Sequence, residues 1–178
     1  MAQLQSITLG GGCFWCLEAV YELVDGVTAV ENGYCNGHVV NPSYEQVCGG
    51  DTGHVEVVRV TFEPAVIGLR EVLEIFFAIH DPTTLNRQGN DVGPQYRSGI
   101  YLHDESQRAV AQSVWDDAQA AHGGRVVTEL EPLRNYWPAE PYHQHYFAQH
   151  PNQGYCAFVV APKVEKFRKT FRSRVKSA

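Results

Sequence analysis

The chain has 178 residues, 44% of them hydrophobic and 19% charged, with five cysteines and a net charge of −6. That is enough chain for one substantial core and too little for two comfortable domains, and no stretch approaches the ~18 consecutive apolar residues of a membrane span. The N-terminus, Met1-Ala2-Gln3-Leu4-Gln5, has neither the basic region nor the apolar core of a signal peptide. A cytoplasmic protein is therefore expected, with its cysteines reduced, catalytic or metal-binding rather than paired in a disulfide framework. Residues 1–162 carry seven arginines against nineteen acids, whereas residues 163–178 carry seven cations against one glutamate. That basic end reads as a solvated terminal helix or frayed end, because Val164, Phe167 and Phe171 supply a single apolar stripe.

In chain order, Ser6–Leu9 reads as a buried strand, Gly10 to Gly12 as a turn, and Leu17, Val20, Tyr21 and Val24 recur at helical spacing. Cys13 is thereby placed at a helix N-terminus. Unpaired backbone N–H groups and the positive end of the helix dipole there favour the nucleophilic thiolate. Cys16 completes a Cys-x-x-Cys pair of the kind used in dithiol redox chemistry, although Phe14 and Trp15 are bulky residues to lie between such cysteines.

Val27–Tyr34 is a second strand, followed by a long loop of turn formers that contains Tyr44 and closes near Gly53. The run His54–Phe62 is the best strand in the sequence. Its parity puts His54, Glu56, Val58, Val60 and Phe62 on one face. A carboxyl in such surroundings keeps its proton near neutrality and becomes a candidate general acid; the alternative is a strand-end Glu56 that reaches solvent. A helix is expected over Leu69–Ile79. A second loop, Asp81–Arg97, holds Asp91 and Tyr96 among polar groups that are costly to bury unless they bind something. Then come a strand at Gly99–Leu102 and a helix capped by Asp104 with Val110, Val114, Ala118 and Ala121 in register. A fifth strand is expected at Arg125–Leu130 and one short helix around Tyr142–His150.

This order predicts an α/β (α+β) two-layer sandwich: a mixed sheet with a ferredoxin-like split βαβ core and an irregular C-terminal segment. Residues 1–178 are taken as a single catalytic domain, with segment 132–178 wrapping the core. His143 and His145 lie two apart, which does not fit zinc-ligand spacing, so no metal site is expected. Cys156, in Asn152-Gln153-Gly154-Tyr155-Cys156, sits on a glycine-containing segment read as flexible enough to approach another thiol.

From Gly11 to about Cys156 the chain resembles the A-type peptide methionine sulfoxide reductases. The shared motifs are Gly12-Cys13-Phe14-Trp15, Gly33-Tyr34, Asn41-Pro42-Ser43-Tyr44, Val47-Cys48, Thr52-Gly53-His54-Val55-Glu56, His80-Asp81-Pro82-Thr83-Thr84, Gln88-Gly89-Asn90-Asp91, Tyr96-Arg97-Ser98 and Tyr142-His143-Gln144. The resemblance implies that Cys13 attacks the sulfoxide sulfur of methionine S-sulfoxide, free or in oxidised proteins. It also implies that Glu56, assisted by hydrogen bonds from Tyr44 and Tyr96, protonates the leaving oxygen, and that Cys13 is left as a sulfenic acid. Phe14 and Trp15 would hold the substrate methyl group, and Asp91 would orient polar substrate atoms through water.

A second cysteine then resolves the sulfenic acid, and thioredoxin or another dithiol reduces the disulfide. By that resemblance Cys156 is the first choice, although Gln153 is inserted in its motif. Cys16, where many relatives have glycine, is its rival or a relay; Cys35 and Cys48 are structural or incidental, and Ser43 replaces a frequent threonine. The reading is a monomer with no metal or organic cofactor and no nucleic-acid or membrane partner. Two other readings stand beside it: a general dithiol-disulfide oxidoreductase using Cys13 and Cys16, and a non-catalytic module that grips methionine-like groups with Phe14 and Trp15.

Overall fold

A computed structural model describes residues 3–176. Its elements are β1 (Gln5–Gly10), α1 (Phe14–Tyr21), β2 (Val27–Cys35), α2 (Tyr44–Cys48), β3 (Val55–Phe62), α3 (Leu69–Ile79), β4 (Arg87–Gln88), β5 (Asp91–Val92), β6 (Gly99–Leu102), α4 (Arg108–Ala121), β7 (Glu129–Pro132), β8 (Trp137–Pro138), α5 (Tyr146–Gln149) and α6 (Ala161–Thr170). The main sheet has the order β7-β6-β1-β3-β2-β8. Adjacent strands among the four central ones are antiparallel, and α1 and α3 make the crossovers. This is the expected split βαβ core. It is extended at one edge by β7, parallel to β6, and at the other by β8, which pairs with Gly33 and Tyr34 of β2.

Strand parity sorts the core. Ile7 and Leu9 of β1 lie opposite Val60 and Val58 of β3, and with Phe62 they pack beneath α1 and α3. Val55 and Val57 point the other way, toward Cys35, Tyr101, Leu133 and Tyr136. Each large apolar side chain so buried contributes roughly 1.5–3 kcal/mol relative to exposure.

Four expectations are corrected. The loop after β2 contains α2, started by Ser43, whose hydroxyl accepts the Gln46 N–H while the Gln46 side chain accepts the Ser43 N–H. That reciprocal pair is a capping box legible as Ser-x-x-Gln. The fifth strand begins only at Glu129, because its partner β6 begins at Gly99 and the preceding residues bond elsewhere: the Arg125 N–H to the His122 C=O, the Val126 N–H to the Gln119 side chain and the Val127 N–H to the Pro82 C=O. Helix α4 buries Ala111, Val114 and Ala118, while Val110 is exposed. The short helix is broken in two, Pro141–His143 and α5, by His145 in a left-handed conformation (φ 57°).

Of the two readings of the basic end, the terminal helix with its apolar stripe holds and the frayed end does not. Helix α6 buries Val164 and Phe167 against α1 and α3, Val175 bridges to Val24, and Arg174 lies 3.5 Å from Glu71. The apolar stripe outweighs the cations because they project from the other side of the helix.

Candidate active site

The turn between β1 and α1 comes within van der Waals reach of the second loop. Gly12 has φ +93°, and a Cβ there would lie 2.7 Å from Cγ of Gln88, so backbone and space both demand glycine. Gln88 is itself fixed by two hydrogen bonds to the Asp81 backbone, each 2.9 Å. Cys13 follows as the N-cap of α1 in an extended conformation (φ −61°, ψ 130°).

Its electrostatics correct the sequence reading. Cys13 is 7% exposed, and burial pushes its thiol well above the ordinary range; nearby Glu56, when charged, and Cys16 push the same way. The Trp15 N–H opposes this but does not win. Desolvation of a charge thus outweighs the helix terminus, and the resting group is a thiol.

Glu56 lies opposite Tyr34 in the β2–β3 ladder, on the face parity assigned to it, and is 1% exposed. One carboxyl oxygen accepts the Phe14 N–H at 3.3 Å; the other has no protein partner. Burial, and secondarily the Asp91 charge, raise its pKa to about 8 against the pull of that N–H. At neutral pH it is a carboxylic acid.

Tyr44 opens α2, and Tyr96 ends the turn Pro94–Tyr96. Both phenols are held protonated, first by burial and then by the nearby charge of Glu56; Cys13 acts on each as well. Neither hydroxyl is hydrogen-bonded to Glu56 among the described residues. Arg97 fixes this loop by donating to Glu129, to the Pro94 C=O and to the Gly53 C=O.

Aromatic rings close the site. Phe14 is fully buried among Tyr34, Tyr44 and His143, so it backs the wall, while half-buried Trp15 is stacked on Tyr146 with centroids 3.9 Å apart and planes 6° from parallel. The edge of Trp15 meets Tyr155, whose hydroxyl donates to Asp91 at 2.6 Å and lies 3.9 Å from the Cys16 sulfur. Tyr155 was not singled out from sequence. Only its place beside Cys156 pointed to it.

A thiol, a neutral carboxylic acid and an aromatic wall therefore meet at one end of α1. Residues 5–175 match the family described as peptide methionine sulfoxide reductase. The chain belongs to that family. The peptide methionine sulfoxide reductase MsrA of Saccharolobus solfataricus is 54% identical over 97% of this chain and 98% of its own. Mxr1 from Saccharomyces cerevisiae in reduced form superimposes with a TM-score of 0.83 at 40% identity, covering 86% of this chain and 90% of that one. A structure of Mxr1 in complex with Trx2 matches with a TM-score of 0.59 at 29% identity, over 81% and 85% of the two chains.

All five cysteines of this reductase are free. Cys156 is fully buried at the start of a π-helical turn, Cys156–Val160, with its N–H bonded to the Gln153 side chain; it is not on a loose segment. The inserted Gln153 is what caps that turn. Cys16 raises the Cys13 thiol, and Cys156 acts in turn on Cys16, whereas Cys156 is not among the charges acting most strongly on Cys13.

Sequence reasoning also missed Glu18, a buried carboxylate (1% exposed) on the same helix. It accepts the N–H of His145 at 2.7 Å and of Tyr146 at 3.2 Å, which holds Tyr146 against Trp15. With Glu22 and His145 it forms the one cluster of three His, Cys, Asp or Glu side chains whose ligand atoms lie within 4.8 Å of one another among the described residues. Glu18→Ala strands two N–H groups and is expected to cost about 2–4 kcal/mol, read as a lower urea midpoint with an unchanged slope. An unchanged midpoint would refute this anchoring.

Proposed function

We propose that this reductase acts on the S epimer of methionine sulfoxide, free or in oxidised proteins, with Cys13 as nucleophile and Glu56 as acid. The observation that carries the reading is the unpartnered oxygen of a buried, protonated Glu56 beside the Cys13 thiol. Glu56 gives its proton to the sulfoxide oxygen as Cys13 sulfur attacks the substrate sulfur, and it takes up the thiol proton in return. The protonated oxygen passes to the Cys13 sulfur as its bond to the substrate sulfur breaks, and the transient bond between the two sulfurs breaks with its electron pair left on the substrate sulfur; methionine leaves reduced by two electrons and Cys13 is oxidised by two, to a sulfenic acid. Tyr44 and Tyr96 donate to the oxygen, Trp15 with Phe14 behind it contacts the methyl group, and Asp91 orients the polar end of the substrate. A thiol of the same chain then displaces water from the sulfenic acid, giving a disulfide.

Sequence favoured Cys156 for that step; the geometry supports Cys16 acting first, with Cys156 reached through it. The Cys16 N–H bonds the Cys13 C=O at 3.1 Å, closing a turn whose ends lie within roughly 7 Å, inside the span a disulfide can bridge. Electrons come from thioredoxin or another dithiol, a partner supported by the Mxr1–Trx2 complex, and the scheme uses no metal or organic cofactor. Free cysteines accord with a cytoplasmic setting, and no described helix is long and apolar enough to cross a membrane. We treat residues 1–178 as one catalytic domain.

The test is one turnover without reductant, followed by mass mapping of disulfides. Cys16→Ser is expected to retain one methionine per enzyme while thioredoxin-driven turnover falls at least about tenfold. A Cys13–Cys156 bond in the wild type, with Cys16→Ser unimpaired, would return the role to Cys156. A second-substrate reading, general disulfide reduction by Cys13 and Cys16, has no observation in its favour that the acid Glu56 does not outweigh.

A further inference from the structure

A cavity of about 310 Å³ adjoins the catalytic site on the far side of the Asp91–Tyr155 bond. Asp91 and Tyr155 form its inner wall; Phe158, Val159, Pro162 and Lys163 form the outer one. Phe158 is 82% exposed, on the π-helical turn that follows Tyr155. The i→i+5 winding of that turn is uncommon and recurs at functional sites. Phe158, Val159 and Pro162 together make that wall a contiguous apolar surface. Lys163 lies at the same wall, and its charge is the strongest influence favouring the Cys16 thiolate.

We infer that this cavity is the subsite for the residue flanking methionine sulfoxide in a polypeptide substrate, and that it prefers an apolar neighbour. The occupant is argued from continuity: Tyr155 lines this cavity and also meets the Trp15 ring and lies 3.9 Å from the Cys16 sulfur, so a chain whose sulfoxide side chain lies at Cys13 continues across Tyr155 onto Phe158. An apolar flanking side chain covers Phe158 and Val159. Lys163 at the rim extends the choice to a chain carrying an acidic residue one step further on. This rests on Cys13 as the reacting atom and adds to it which substrates the site selects.

The experiment uses the intact protein with dithiothreitol as reductant. Its substrates are free methionine sulfoxide and two capped pentapeptides with a central methionine S-sulfoxide, flanked by leucine in one and serine in the other. The quantity read is the kcat/KM of each peptide divided by that of the free amino acid. In the wild type the leucine peptide is expected to exceed the serine peptide about five- to tenfold, the worth of one apolar side chain partly buried. In Phe158→Ser that preference is expected to collapse to below about twofold.

An unchanged preference overturns the subsite. So does a defect that appears only when thioredoxin replaces dithiothreitol, which would assign the face to the protein reductant. Phe158 is exposed, so its replacement removes no core contact, and an equal melting temperature confirms that the variant is folded. Cys13→Ser protein that still reduced the free amino acid would overturn the site assignment itself, a result distinct from either.

Discussion

Cys13→Ser protein is expected to form no methionine above a background at least about 10³-fold below wild type, in single-turnover and steady-state assays alike. A serine hydroxyl at this position cannot take up the sulfoxide oxygen as a sulfenic acid, so the loss is in the chemistry. The fold should not suffer. Cys13 is the N-cap of α1 and its side chain caps no N–H, whereas serine is among the best N-cap residues. Thermal unfolding should therefore show an equal or higher melting temperature. Retained turnover would remove the nucleophile from the mechanism; a collapsed melting temperature would make the variant uninformative about chemistry and contradict the capping argument.

Glu56→Gln is expected to lower kcat/KM by about 10²–10⁴, the usual worth of a positioned general acid. Its pH signature follows from the raised pKa. Wild-type kcat/KM should be level from pH 6 to 7 and fall about tenfold per unit above pH 8, as the acid loses its proton. The rise of the Cys13 thiolate does not compensate, because a charged Glu56 pushes that thiol further up. In the Gln variant this fall should vanish; wild-type activity that climbed through pH 9 would refute the assignment.

Stability should move the other way. The folded carboxyl titrates at about 8 and the unfolded one near 4.5. Between those values the unfolded chain binds fewer protons, so rising pH costs the wild type up to roughly 3 kcal/mol by pH 7. Gln removes that cost but leaves an amide NH₂ where an oxygen had no partner, for a net gain of about 1–2 kcal/mol. Denaturant titrations at pH 4.5 and 7 check this: the difference between the proteins should widen with pH.

Much of this arrangement was legible because β3 alternates. Parity alone placed Glu56 with Val58, Val60 and Phe62, and α3 was found at its observed bounds from its apolar spacing. What sequence could not supply was the depth of burial at Cys13. A helix terminus and a desolvated pocket pull a thiol in opposite directions, and only the second depends on residues far along the chain. The region after Glu131 was hard for a related reason. Its aromatics and prolines have no period of 2 or 3.6, so Tyr146 and Tyr155 gain meaning only once Glu18 and Asp91 anchor them. Helix α2 was a different case, since Ser43 and Gln46 carried a capping signal that went unread.

The Glu18 bonds to His145 and Tyr146 span 127 and 128 positions of sequence. On a ribosome that emits the chain from its N-terminus, Cys13, Cys16 and Trp15 emerge first and wait for most of synthesis before the segment that covers them exists. Until then the nascent polypeptide carries two bare thiols beside an uncovered indole. The nascent chain therefore exposes an indole and a thiol that the finished fold covers with Tyr146 and Tyr155, and a chain cut short before residue 145 lacks that cover.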